Sequence, residues 1–218
     1  MARLSLTLFF AGVLLPAVAS AQEVPPTSPL RDVAPMTLKT PPVATLRMGS
    51  LVVALDSSTL PSVQRTIASG VMSHAGDASE STHWLCYSLG APGARQRMWL
   101  LSSDELGGPE HTIYGVVAKA IDRAVASPTC PELPRQFHPV ALDVGLWVAS
   151  GEREARARLG RPSVADGPWL HFIAKRALVG DPRAVAWGGG PFYESGSMSL
   201  RLRQGHVEEL WATKSAGN

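Results

Sequence analysis

The sequence predicts an α+β fold, on three observations. Apolar runs of alternating or β-branched character, chiefly Trp84–Leu89, Gln96–Leu101, Trp169–Ala174 and Ser197–Arg203, have the length and composition of strands. Only two short stretches carry helix grammar, one after Ser58 and one after Ser150, and each ends at a glycine. The order helix-then-strands occurs twice. The chain therefore reads as two tandem small units, each a short helix packed on an antiparallel β-meander, preceded by a disordered Pro-rich segment.

Met1-Ala2-Arg3 is basic, Leu4–Val18 is apolar, and Ala19-Ser20-Ala21 supplies a small-x-small pattern. Residues 1–21 are expected to be a secretory signal peptide cleaved after Ala21, with an uncleaved anchor as the alternative. No later apolar run approaches about 18 residues, so no membrane span is expected after cleavage. Residues 22–45 hold Pro25, Pro26, Pro29, Pro35, Pro41 and Pro42 and little large apolar surface, which predicts a disordered linker.

Residues 46–127 form the first expected unit. Leu51–Leu55 is a short strand candidate. Asp56-Ser57-Ser58-Thr59 offers capping oxygens, Pro61 suits a first helical turn, Val63 and Ile67 share a face, and Gly70 stops the helix. Ser73–His83 reads as a polar loop. Trp84–Leu89 is a strand, Ala91-Pro92-Gly93 a turn, and Gln96–Leu101 its return. Ser102–His111 is a wider turn, and Thr112–Ile121 is a third strand in competition with a helix over Val116–Val125.

Residues 128–139, with Pro128, Pro131, Pro134 and Pro139, are the expected hinge. Residues 140–218 repeat the pattern: Ser150 as cap, Glu152 and Glu154 at the positive helix start, Ala155 and Leu159 as a thin apolar face, and Gly160 as stop. Trp169–Ala174 follows as a strand and Gly188-Gly189-Gly190-Pro191 as a loop. Ser197–Arg203 alternates, Gln204-Gly205 turns, Val207–Thr213 returns, and Lys214–Asn218 is a polar tail.

The full chain has 20 basic and 18 acidic residues, and loss of Arg3 with the signal peptide leaves a net charge of +1. Such a balance excludes the basic stripe of a nucleic-acid-binding surface. Cys86 and Cys130 are the two cysteines, and an even count in an exported chain favours a disulfide over two buried thiols. Neither lies at the cleavage site, so lipid anchoring is not expected.

Leu159-Gly160-Arg161-Pro162-Ser163, followed by Trp169-x-x-Phe172 and a late hairpin, resembles the helix-and-sheet modules shared by the β-lactamase inhibitory protein and the small lipoprotein of the outer-membrane β-barrel assembly machine. The resemblance covers Ser150–Thr213 well and Ser58–Ile121 weakly, because the first unit lacks the Leu-Gly-x-Pro signature. It implies a tandem, exported, protein-binding architecture of inhibitor type. No inhibitory loop carries over residue by residue, and the partner is not inherited.

No nucleophile elbow, metal-binding His-Glu-x-x-His helix, phosphate loop or dinucleotide turn occurs. His74, His83, His111, His138, His171 and His206 are scattered singly, so no catalytic residue, metal or cofactor is expected. The functional candidates are aromatic. If Leu85, Tyr87 and Leu89 face the helix, Trp84 and Cys86 face away; likewise Leu170 and Phe172 face inward with Trp169 and His171 outward. An outer face carrying Trp84, Trp99, Trp169, Arg201 and Arg203 has the residue chemistry of binding hot spots. The alternative is that the sheets pack together and these tryptophans are core. The expectation is a periplasmic or secreted, non-enzymatic module that binds an envelope or secreted protein. A hydrolase with a dispersed site, or a carrier using a cleft between units, are the other readings.

Overall fold

A computed structural model describes residues 23–30, 35–77, 81–90, 95–122, 126–183 and 191–217. The expected signal peptide, the Ala91-Pro92-Gly93 turn and Gly188-Gly189-Gly190 lie outside them.

Strands β1 (Thr45–Met48) and β2 (Leu51–Ala54) pair as a hairpin. Helix α1 (Leu60–Ile67) starts at Thr59, whose hydroxyl accepts from the Ser62 backbone N–H at 3.3 Å while the Ser62 hydroxyl caps in return. These reciprocal bonds satisfy donors that a helix start otherwise leaves open. Pro61 fits the first turn, and Leu60, Val63 and Ile67 bury one face. Strands β3 (Ser73–Ala75), β4 (Thr82–Leu89) and β5 (Gln96–Ser103) follow, then a single-turn helix α2 (Asp104–Gly107) and β6 (Gly115–Ala120).

A 3₁₀ turn at Arg135–Phe137 leads to β7 (Val140–Leu142), which pairs with β1 to complete a three-stranded sheet. Helix α3 (Glu152–Leu159) precedes β8 (Val164–Asp166), β9 (Trp169–Ala177), β10 (Tyr193–Arg203) and β11 (His206–Gly217). The α+β class holds, with predominantly antiparallel sheets and few helices.

Several boundaries differ from expectation. The 73–83 loop contains β3, the 102–111 turn contains α2, and β11 extends into the expected polar tail as far as Gly217. Gly151, not Ser150, is the cap residue of α3, because the Ser150 hydroxyl is taken by the Trp147 N–H at 3.1 Å.

The two strand runs do not form separate meanders. The sheet order is β3-β4-β5-β6-β11-β10-β9-β8, with β6 and β11 joined antiparallel from Gly115↔Thr213 to Lys119↔Glu209. An unpaired edge exposes a row of backbone donors and acceptors, and this pairing removes two such edges at once. One apolar core spans the sheet's inner face. It gathers Leu85, Tyr87, Met98, Leu100, Val116, Phe172, Met198 and Leu200 beneath α1, α3 and the three-stranded sheet.

Parts of the stretch 22–45, expected to be a disordered linker, pack against the fold. Thr37 and Leu38 donate to the Ile173 carbonyl at 3.1 and 3.0 Å, extending the sheet past the short β8. Val43 is buried, and Pro41 lies so close to Gly196 that an added Cβ there would meet the proline Cβ at 2.6 Å. Gly196 allows this close approach because it has no side chain.

Candidate functional site: the outer face of the sheet

Antiparallel register sets the outer face in rows. Cys86, Trp99, Val117, Trp211, Ser199 and His171 lie side by side across β4, β5, β6, β11, β10 and β9. The neighbouring row is charged: Arg97, Lys119, Glu209 and Arg201, ending at Trp169. Trp84 and Leu101 stand opposite each other on the far side of the aromatic row. The inward set Leu85, Tyr87 and Leu89 and the outward pair Trp84 and Cys86 separate as their alternation predicts.

Cys86 and Cys130 form the disulfide, with Cα atoms 4.6 Å apart, and it ties the Ser127–Cys130 turn onto the aromatic row. Trp84, Trp99, Trp211, Leu101, Val117 and both half-cystines make a second apolar cluster, with Tyr114 and Trp169 against it.

The expected open tryptophan surface needs correction. Trp84 and Trp99 are only 1% and 3% exposed. Among the described residues it is the segment holding Glu23, not a second sheet, that covers them. Both indole N–H groups donate to the Glu23 carbonyl, at 3.0 and 3.1 Å, and the Glu23 carboxylate pairs with Arg97. Val24–Ser28 continue beside Trp84, Tyr114 and Trp211, with a cleft of about 380 Å³ between them. Proline lacks an N–H but keeps its carbonyl, so a proline-rich segment presents acceptors in excess. Indole N–H groups only donate, and both are answered here by the Glu23 carbonyl.

Trp169, Arg201 and Arg203 stand at the other end of this face. Trp169 is half-buried and stacks on His171 with ring centroids 6.1 Å apart. Arg201 reaches Glu208 at 3.7 Å and Glu209 at 3.9 Å, and the exposed Arg203 holds Glu208 at 3.0 Å. Glu209 also takes Lys119 at 3.0 Å and the Trp211 indole N–H at 3.1 Å. The five predicted residues thus divide into a covered pair, Trp84 and Trp99, and an accessible trio.

No family model, curated protein or solved structure matches the chain. The chemistry of the face therefore rests on its own geometry.

Sequence reading passed over Glu23, Arg97, Lys119 and Trp211. Arg97 and Trp99 are two apart on one strand, a spacing that puts both on one face and was open to inspection. Glu23 had no such signal. His74, His83 and His111, scattered along the sequence, meet at the β3–β4 end of the sheet.

His171 gives the face a pH response. Its ring is 4% exposed, with Nδ1 2.8 Å from the Ser199 hydroxyl. Burial pulls its pKa below the ordinary histidine value, and the Asp166 carboxylate partly opposes this. Because the folded ring resists protonation, its share of stability is complete above the unfolded pKa of about 6.5 and declines as pH falls toward the lower folded value. Urea midpoints followed from about pH 8 to about pH 5 are expected to drop less in His171→Gln than in the parent chain.

Proposed function

We propose that the chain is an exported, non-enzymatic protein-binding module, of inhibitor or envelope-assembly type. In this reading its outer face receives a short segment combining proline with an acidic residue. The observation that carries the reading is the Glu23 contact, in which two indole N–H groups grip one carbonyl while Arg97 takes the adjoining carboxylate. Aromatic-lined grooves take proline-rich peptides by this kind of chemistry. Residues 23–28 are then the face's ligand in cis, and a partner in the envelope or among secreted proteins presents the same chemistry in trans.

The compartment reading rests on coarser facts. The Cys86–Cys130 disulfide fits an oxidising periplasmic or extracellular setting. No helix among the described residues is long and apolar enough to cross a membrane.

The tandem-unit reading belongs with this proposal. Helix α1 precedes β3 to β6, α3 precedes β8 to β11, and the two runs meet last strand to last strand. That mirrored order supports two copies of one unit, and with it the resemblance to the inhibitory-protein modules.

The test uses a labelled peptide of sequence Glu-Val-Pro-Pro-Thr-Ser-Pro, residues 23–29, offered to three proteins. These are the chain from residue 22 onward, a chain beginning at Leu30, and the shorter chain carrying Trp99→Ala. The shorter chain is expected to bind the peptide at least tenfold more tightly than the longer one, and Trp99→Ala to remove about tenfold or more of that gain. Equal binding by all three, with near-ultraviolet circular dichroism confirming folded proteins, would reject the face as a segment-binding site.

A further inference from the structure

Away from the aromatic face, four side chains from β3, β4 and the β5–β6 connection converge at the start of β4. His74 and His83 are direct cross-strand partners on β3 and β4, so both project from one face, and their rings stack with centroids 5.5 Å apart. The partner of His83 on β5 is Ser102, and β5 ends one residue later. The Ser103 hydroxyl then accepts from the Leu106 N–H at 3.1 Å, and this cap starts α2 with Asp104 beside His83. The single turn of α2 reverses the chain. Bonds from the His111 N–H to the Gly108 carbonyl and from the Thr112 N–H to the Gly107 carbonyl, both 3.0 Å, bring His111 back over the His83 ring at 4.3 Å between centroids.

We propose that His83, Asp104 and His111 bind a divalent transition-metal ion, with zinc the best match. One ligand atom from each lies within 4.8 Å of the other two, and His83 Nε2 is already 3.0 Å from Asp104 Oδ1. Zinc bonds of about 2.0–2.2 Å to nitrogen and oxygen place tetrahedral ligand atoms about 3.4 Å apart, so small side-chain rotations close the set. Two imidazoles with one carboxylate suit zinc better than calcium or magnesium, which favour oxygen ligands. Three protein ligands leave a fourth position for water, the arrangement of an open rather than a purely structural site.

Three features go beyond a histidine–carboxylate hydrogen bond on a surface. His111 Nδ1 is buried with no hydrogen-bond partner, and so is the hydroxyl of Ser102, the cross-strand neighbour of His83. Buried polar groups left unpaired are costly, and coordination by His111 would remove that cost at its ring. His111 is held at φ 52°, in the left-handed region, where strained residues tend to mark functional positions. Asp104 has no Lys or Arg within ion-pair distance among the described residues, and its carboxylate lies against His83 Nε2 instead.

The site shares none of the residues gripping Glu23, so this proposal and the segment-binding one stand or fall separately. The experiment uses the untagged chain from residue 22 onward, dialysed against zinc chloride and then against metal-free buffer, with retained metal measured by mass spectrometry. Titration calorimetry with zinc, calcium and magnesium runs alongside. One zinc per chain and no calcium or magnesium is expected. Asp104→Asn is expected to weaken zinc at least tenfold, and His83→Ala with His111→Ala to abolish its retention. His138→Ala and His206→Ala should leave it unchanged. Asp104→Asn preserves side-chain volume, so its effect is readable even if the double variant folds poorly. Failure to retain zinc, or retention that Asp104→Asn and the double variant do not alter, would overturn the assignment.

Discussion

Replacing Cys86 and Cys130 together by alanine is expected to lower folding stability by about 3–4 kcal/mol. The bond closes a loop between residues 44 apart, and cross-linking a loop of that length withdraws this much chain entropy from the unfolded ensemble. A native-state contribution adds to it, since both half-cystines sit fully buried among Trp84, Trp99 and Trp211. Cys130 also aligns the segment that follows: Ser88 N–H donates to the Pro131 carbonyl at 2.8 Å and Leu133 N–H to the Ser88 carbonyl at 2.9 Å. At about 2–4 °C per kcal/mol for a chain of this size, the melting temperature should fall by roughly 10 °C. Scanning calorimetry of the double variant checks this, and an unchanged melting temperature would mean that the aromatic packing alone holds the face.

Phe172→Ala should cost a similar amount, about 3–5 kcal/mol. Phe172 is fully buried, pairs in register with Met198, and belongs to the core that α1 and α3 share. Removing its ring leaves a cavity walled by a sheet whose strands are fixed on both sides, so little collapse can offset the loss. Phe172→Leu restores most of the volume and should recover more than half of the stability. Urea denaturation of the three proteins, with unchanged m-values, separates a core effect from a change in the unfolded state.

The same residues explain which parts of the fold were legible in the sequence. Side chains alternate with period two, so Leu85, Tyr87 and Leu89 against Trp84 and Cys86, and Phe172 against His171, declare their faces locally. Helices α1 and α3 were readable because caps and stops are short-range: Thr59 and Pro61 for α1, Gly160 for α3. The joining of β6 to β11 has no such mark. It depends on edges far apart in sequence finding each other, and the residues involved would look the same on a free edge. Glu23 escaped for a different reason. A proline-rich stretch with little apolar surface has the composition of disorder, while its docking depends on carbonyl acceptors that every residue carries. The His83–Asp104–His111 group was invisible because β3 and α2, the elements that assemble it, are three and four residues long, below the reach of periodicity.

The junction of β6 with β11 also imposes an order of events on synthesis. The neighbours β3 to β6 can pair as soon as they emerge, each with the strand just made. β6 must then wait until everything through β10 has been produced before its second partner exists. During that interval the nascent chain carries an open, apolar strand edge, Gly115–Ala120, able to recruit the same edge of another nascent chain. The last hairpin to appear is therefore the one that makes the half-built sheet safe, and a chain interrupted before His206 keeps its adhesive edge.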